Sequence, residues 1–346
     1  MFTIPYVGEL FAYFGVDVLL WFLVEMRCLE KKVLRHENVN RQLYYLSQYK
    51  EKKIMISFIC SSIRPEDAER LEKNIRETIG ENVSFEFIAH DNREDKFGLC
   101  KLYNMCAEKA QFDYLCFLHE DLQFISSDWG KLIINKLSEP DCGVVGFAGS
   151  TVKLNAPSGW SVNEKWNRIN FTQHYKRKKR STKREFLNPD NVDFSPVITI
   201  DGMALFVNKK VWQEIRFDDV IFTGFHCYDV DFSLAVSRKY TNYVCNTFSI
   251  EHFSEGNFTG EWALATDLFY EKWKYRIPAY VATIPIVDEK MLRDSTFKIE
   301  YFVLKMKVKS GFAGYNEIWE FVKKYPWSFN SWRLLTKKMK YSLQKK

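Results

Sequence analysis

The 346-residue chain lacks most of the local signatures that assign a protein at sight. Its cysteines (28, 60, 100, 106, 116, 142, 227 and 245) form no Cys-x-x-Cys pair and no metal-finger spacing, which excludes a cysteine-built metal fold. Several lie in apolar runs such as Ile54–Cys60 and Tyr114–Leu118, where Cys acts as a small buried hydrophobe. Reduced thiols of a cytosolic protein are the simpler reading. There is no Gly-x-Gly-x-x-Gly, no Gly-rich phosphate loop near the first strand, and no internal repeat. No apolar run reaches the ~20 residues that cross a bilayer as a helix. The longest, Leu10–Val24, stops at fifteen and contains Asp17. No Lys or Arg precedes Arg27, so this run reads as a buried or interfacial helix rather than a secretory signal; a signal anchor fits the same residues.

What is present is ordinary in bulk and uneven in detail. Hydrophobic residues at 46% and charged residues at 27% exclude a wholly disordered or fibrous chain. The length fits two domains, or one large domain with an appendage. Aromatics at 16% supply a large core without covalent staples. The net charge of +6 belongs to the end of the chain: residues 301–346 hold eleven Lys and Arg against Glu317 and Glu320. The same stretch carries eleven aromatics, among them Trp319, Trp327, Phe329 and Trp332. Basic and aromatic together suit an anionic membrane surface. A solvated helix pair that packs its aromatics on the main domain fits the same composition. No nucleic-acid-binding motif accompanies the charge, and none is expected as a partner.

From Ile54 the chain alternates strand and helix patterns. Ile54–Cys60 is a continuous apolar run of strand length, as for a parallel strand buried on both faces. Pro65 opens a helix to Ile79, with Glu66 and Asp67 in its first turn and Gly80 as its stop. Strands are expected at Val83–Ala89, Tyr114–Leu118 and Cys142–Ala148, and helices at Leu99–Ala110 and Asp128–Leu137. Beyond these, Val197–Val207 reads as a strand broken by Asp201–Gly202, Asp229–Arg238 as a helix, Tyr243–Glu251 as a strand and Trp262–Tyr275 as a helix. The β-α-β-α-β order implies an α/β, doubly wound, mostly parallel sheet with ligand sites at the carboxyl ends of its strands. Lys176–Arg184, seven basic residues in nine, reads as an exposed loop, or as a flap that meets an anionic substrate. Three segments are expected: residues 1–52, an N-terminal helical segment and linker; 53–280, the α/β domain; and 281–346, a basic aromatic helical extension.

Four groups of residues have the chemistry of a site. His119–Glu120–Asp121 follows a buried strand, where ionisable groups need partners and where a carboxylate suits a hard divalent cation. Asp201–Gly202 interrupts an apolar strand, and such a glycine often marks close approach of a ligand or of another backbone. Asp229 and Asp231 open a helical pattern; they are capping acids, or one of them faces a site. His252 ends the strand SIEH before a polar loop.

In this order, with Asp91 ending the second strand and Asn104 within KLYNMCAEKA, the segments YLCFLHEDL, DGMALFVNKKVW, FHCYDVDFSL and IEH resemble family 2 glycosyltransferases of GT-A fold. The bacterial branch grouped with streptomycin-biosynthesis-type transferases is the nearest likeness, over about Lys53 to Tyr275. The resemblance implies a nucleotide-sugar donor, a divalent metal (Mn²⁺ or Mg²⁺) and a glycan or lipid-linked acceptor, with the enzyme cytoplasmic or peripheral at the inner membrane face. It implies that Asp121 touches metal and diphosphate, with Glu120 beside it in the metal motif. Ser61, Ser62 and Asp91 would line the nucleotide cleft, with Asn104 among the donor-site positions. Asp201 would meet sugar or acceptor hydroxyls, Asp229 would be the catalytic base, and His252 a further metal or phosphate contact. The sequence departs from the family where a Glu usually precedes the base, since Tyr228 stands there. A nucleotidyltransferase on a related sheet and a non-catalytic surface-binding protein remain as other classes.

Overall fold

In a computed structural model, described for residues 54–175, 181–254, 256, 258–282 and 288–343, the strand-and-helix alternation is realised around two sheets. The apolar segment Leu10–Val24 lies outside the described residues, as do 176–180 of the basic run and 283–287, where the expected boundary to the C-terminal extension falls.

The strands, in chain order, are β1 (Ile54–Ser62), β2 (Val83–Asp91), β3 (Tyr114–His119), β4 (Leu122–Phe124), β5 (Cys142–Gly146), β6 (Ala148–Ser150), β7 (Val152–Lys153) and β8 (Asn167–Gln173). They continue with β9 (Lys183–Leu187), β10 (Phe194–Val197), β11 (Thr199–Ile200), β12 (Ala204–Asn208), β13 (Thr241–Cys245), β14 (Ile250–His252) and β15 (Ala279–Tyr280). The helices are α1 (Pro65–Thr78), α2 (Leu99–Lys109), α3 (Trp129–Leu137), α4 (Lys209–Glu214), α5 (Tyr228–Val236), α6 (Gly260–Trp273), α7 (Glu289–Ser310), α8 (Tyr315–Lys324) and α9 (Phe329–Leu343).

The main sheet has the order β10-β13-β5-β12-β3-β1-β2. β2, β1 and β3 run parallel, with the continuous apolar sequences of β1 and β3 buried inside the sheet and the alternating β2 at its edge, and β13 runs parallel to β5. β12 enters antiparallel between β3 and β5, so the sheet is mostly but not wholly parallel. Helices cover both faces. Leu71 and Ile75 of α1 with Ile133 and Leu137 of α3 pack against Phe58, Cys116 and Phe206. On the other face, Leu102, Tyr103 and Cys106 of α2 pack with Phe232 of α5 and with Phe269 and Trp273 of α6 against Ile59, Phe117 and Leu205.

The smaller sheet, β11-β6-β8-β14-β4 with β9 beside β8, accounts for three corrections. Cys142–Ala148, Val197–Val207 and Tyr243–Glu251 are not single strands; each divides and sends its pieces to different sheets. Gly146 marks one division. A Cβ there would lie 2.4 Å from Ile200 Cγ2, so only glycine lets the two segments cross. β8 and β9 carry no strong period-2 signal. Lys183 and Arg184, expected in an exposed loop, instead begin β9, which pairs with β8. The C-terminal region is helical, as expected: α7, α8 and α9 share a small core of Leu304, Val308, Ile318, Phe321, Val322 and Leu334. The described cysteines are free and buried.

Candidate active site

The site residues gather where β1 and β3 end. Parallel pairing brings Ser61 opposite His119, and Ser62 opposite Asp91. Glu120 turns back from this edge. Its Oε2 accepts from Ser62 Oγ (2.8 Å) and from the backbone N–H groups of Ile63 (3.1 Å) and Arg64 (3.0 Å), while Oε1 accepts from Arg64 Nε (3.0 Å). With four donors already on it, this buried carboxylate clamps the loop that leads into α1. Ser62 is committed to the same clamp. Arg64 also reaches Asp121 Oδ2 at 3.4 Å, so the clamp touches the next acid.

Asp121 is the acid that faces the cluster. His119, Asp121 and His252 present ligand atoms that all lie within 4.8 Å of one another, a group that could hold a metal ion. Burial works against ionisation of Asp121, but His252 and His119 outweigh it and hold the carboxyl below its usual range.

The hydrogen-bond network orients both rings. Gln173 Nε2 donates to the carbonyls of His174 (2.9 Å), His252 (3.2 Å) and Ser254 (2.6 Å), which turns Oε1 toward His252 Nδ1 at 3.3 Å. His252 Nε2 lies 3.1 Å from Ser254 Oγ and 3.6 Å from Asp121 Oδ1, so the ring is held between Gln173, Ser254 and the carboxylate. On the other ring, Tyr228 Oη gives its single proton to the Gly202 carbonyl (3.0 Å) and lies 2.8 Å from His119 Nε2. This contact fixes the orientation of the His119 ring toward the cluster. The donor set, two imidazoles and a carboxylate, fits a divalent cation such as Mn²⁺.

Tyr228 also joins this cluster to the second group. A Cβ on Gly202 would fall 2.0 Å from Tyr228 Oη and 2.9 Å from Asp229 Cβ. Glycine is thus what allows the β11–β12 turn to reach the start of α5. There Gly202 N donates to Asp229 Oδ2 at 3.0 Å, and Met203 N to Asp201 Oδ1 at 2.9 Å. Burial and the Asp201 carboxylate raise Asp229 to about pKa 7, against the lowering by its backbone N–H donors. Helix-start N–H groups alone would keep Asp229 fully ionised at neutral pH; desolvation and a like charge win instead. Cys227, just before, is a non-glycine residue at φ 66°, a strained conformation of the kind that collects at functional sites.

Asp231 points elsewhere. It is buried, receives Trp273 Nε1 at 2.7 Å and pairs with Lys272, tying α5 to α6. Asn104 is also apart from the cluster. Its Nδ2 donates to Phe217 O (2.8 Å) and its Oδ1 accepts from Trp212 Nε1 and Phe217 N (both 3.3 Å), so its amide staples the segment after α4. Asp91 sits at the same sheet edge, exposed, with Arg93 holding it down to about pKa 2. Ser61 Oγ accepts from Asn92 Nδ2 at 3.4 Å.

Sequence reasoning gave no role to Arg64, Gln173 or Lys153, because each works through a partner distant in sequence or hidden by a short element. Lys153 is the extreme case. Fully buried, its Nζ donates to Ser158 O (2.7 Å), Ser158 Oγ (2.6 Å) and Gly159 O (2.9 Å), and desolvation lowers it to about pKa 7. On the α6 side of the site, an open cleft of about 220 Å³ is lined by Ile221, Phe225, His226, Glu261, Leu264 and Leu268.

The network makes Tyr228 a positioning residue. Tyr228→Phe is expected to weaken Mn²⁺ binding about 10–100-fold, the usual cost of losing a group that orients a ligand. Calorimetric Mn²⁺ titration of the folded variant checks this. A purely structural Tyr228 would lower the melting temperature and leave the metal affinity unchanged.

A sequence profile described as a glycosyltransferase-like family matches residues 62–262, more than half of the chain. No curated protein matches the sequence. Among solved structures it is similar to GalNAc-T7 with UDP, GalNAc and Mn²⁺ (11% identity, 80% of this chain, 56% of that one, TM-score 0.41). It is also similar to the mannosyltransferase PcManGT from Pyrobaculum calidifontis in complex with GDP-Man and Mn²⁺ (10% identity, 84% and 88% coverage, TM-score 0.42). A third is A197 from STIV (16% identity, 58% and 86% coverage, TM-score 0.30). The chain spans little more than half the length of the first of these, and all three TM-scores are low, so the assignment rests on the profile match. On that match the chain belongs to the glycosyltransferase-like family.

Proposed function

We propose that the protein is an inverting glycosyltransferase that moves a sugar from a nucleotide diphosphate sugar, a UDP-sugar in the first instance, to a hydroxyl of a glycan or lipid-linked acceptor. The observation that carries this reading is the joining of His119, Asp121 and His252 to the Asp201–Asp229 pair through Tyr228 and Gly202. A divalent cation on the first group, Mn²⁺ or Mg²⁺, would supply Lewis-acid neutralisation of a leaving diphosphate. Ser61 and Asp91 sit at the strand ends where the nucleotide would lie.

Asp229 takes the proton of the acceptor hydroxyl as its oxygen attacks the anomeric carbon. The bond from that carbon to the diphosphate oxygen breaks, and the nucleoside diphosphate leaves with the electron pair. A single displacement with one base inverts the anomeric centre. A carboxyl near pKa 7 suits this role, because it is basic enough to accept the proton and still substantially ionised. Asp201 is placed to hold a sugar or acceptor hydroxyl and, by its charge, to keep Asp229 basic. The apolar cleft lined by Phe225, Leu264 and Leu268 favours an acceptor with an apolar portion.

The pathway we favour is surface polysaccharide synthesis on the cytoplasmic side. We place the chain in the streptomycin-biosynthesis-type branch on its His119–Glu120–Asp121 motif. Among the described residues no helix is long and apolar enough to cross a membrane. The test is release of nucleoside diphosphate from a panel of nucleotide sugars with Mn²⁺, with Mg²⁺ and with chelator. The expected result is divalent-dependent turnover of one donor. Metal-independent turnover, or none across the panel, would overturn the reading.

A further inference from the structure

We infer that the corner between α8 and α9 is a docking surface for an anionic lipid leaflet. The two helices divide their large side chains between two sides. Ile318, Phe321, Val322 and Leu334 point inward to the small core with Leu304 and Val308. Trp319, Trp327, Phe329 and Trp332 point outward, and Trp327 is 98% exposed and Phe329 78%. They belong to one patch. The Trp319 and Trp332 rings lie 6.0 Å apart edge to face, and Trp332 Nε1 donates to the Pro326 carbonyl (2.8 Å) in the turn that carries Trp327. Folding did not lack places to bury these rings, since their neighbours at helical spacing are buried.

Charge selects the occupant. Lys323, which pairs with Glu320 at 2.7 Å, and Arg333 are exposed on the same two helices, and the stretch 301–346 carries nine more basic than acidic residues. A protruding corner of indole rings, with basic side chains around it, matches the headgroup region of an anionic bilayer, where Trp is favoured and each Lys or Arg adds roughly fivefold to binding. A groove on a protein partner would have to accept a convex aromatic feature with a net positive charge; a deformable leaflet accepts both. The inference deepens the reading of a lipid-linked acceptor, yet its test needs no donor and no turnover. Its failure would therefore leave the transfer chemistry standing.

The experiment uses the full chain and its Trp327→Ala/Phe329→Ala and Lys323→Glu/Arg333→Glu variants. Each is sedimented with phosphatidylcholine vesicles, with and without phosphatidylglycerol. All four positions are exposed, so circular dichroism and turnover on a water-soluble acceptor should not change. The unaltered chain should bind the phosphatidylglycerol vesicles, bind less as salt rises, and lose about tenfold or more of that binding in either double variant. Brominated acyl chains should quench the tryptophan fluorescence of the unaltered chain more than that of Trp327→Ala/Phe329→Ala. Equal binding by all three proteins overturns the inference, as does binding by none. A concentration-dependent dimer that the aromatic substitutions abolish, without vesicle binding, would assign the patch to a second copy of the chain and also overturn it.

Discussion

Asp229→Asn should cut turnover at least ~10²-fold, leave donor affinity nearly unchanged, and raise the melting temperature at pH 8. The three effects have one origin. Asn keeps the shape and can still accept from Gly202 N–H, but it cannot take a proton. An ionised Asp229 is held against burial and the Asp201 charge, which raise it from 3.8 to about 7. A carboxyl raised on folding costs stability above its unfolded pKa. The cost is absent near pH 3, grows between about 4 and 7 as the unfolded state ionises first, and is constant above 7. Its upper limit is about 4 kcal/mol, which the amide removes. The variant should therefore gain on the unaltered protein through that window and match it in acid. Turnover of the unaltered protein should rise with pH and level off above about 7. Asp231→Asn is the comparison. It weakens the Lys272 pair and the Trp273 bond, so it should lower the melting temperature while sparing the chemistry. If Asp231→Asn is the inactive variant and Asp229→Asn turns over normally, the base is misassigned.

Asp121→Ala should abolish divalent-dependent nucleotide binding, as read by calorimetry with nucleoside diphosphate in Mn²⁺ and in chelator. The fold should survive. Arg64 loses only its 3.4 Å contact and keeps Glu120 at 3.0 Å and Asp67 at 2.9 Å. His119 and His252 remain, but without the carboxylate the site loses its only acid among the described residues. Glu120→Ala separates position from role in the same motif. It leaves the buried Ser62 hydroxyl and the N–H groups of Ile63 and Arg64 without their acceptor, so its first effect should be on stability. A folded Asp121→Ala protein that still bound nucleotide with a metal requirement would remove Asp121 from the metal site.

The parts of the fold legible in the sequence are those in which one element is long enough to carry its own period. β1 and α1 were readable to within a few residues, because an apolar run and a Pro-Glu-Asp helix start each state their ends locally. The smaller sheet was not. β6, β11 and β14 are two or three residues long, and their places are set by crossings such as Ile200 over Gly146. The site divides in the same way. His119–Glu120–Asp121 was visible as a motif, but which acid faces the cluster depends on the loop after Ser62. Nothing nearby in sequence reveals that Glu120 is spent on that loop. Tyr228 stood out only as a departure, and its contact with His119 makes it a bridge between the two halves of the site.

Asp121 follows the last strand of a parallel β-α-β unit, while His252 arrives on a short strand of the other sheet, roughly 130 residues later. A cation shared by these two side chains would bind the folded chain, where they meet, and not the unfolded one, where that length of chain separates them, and so would add to stability by mass action. The hold would be reversible, set by free cation concentration and by the protonation of two imidazoles. The seam between the sheets would then tighten when the cell supplies metal and loosen when it does not, so that persistence of the folded chain against proteolysis would follow the same supply as its chemistry.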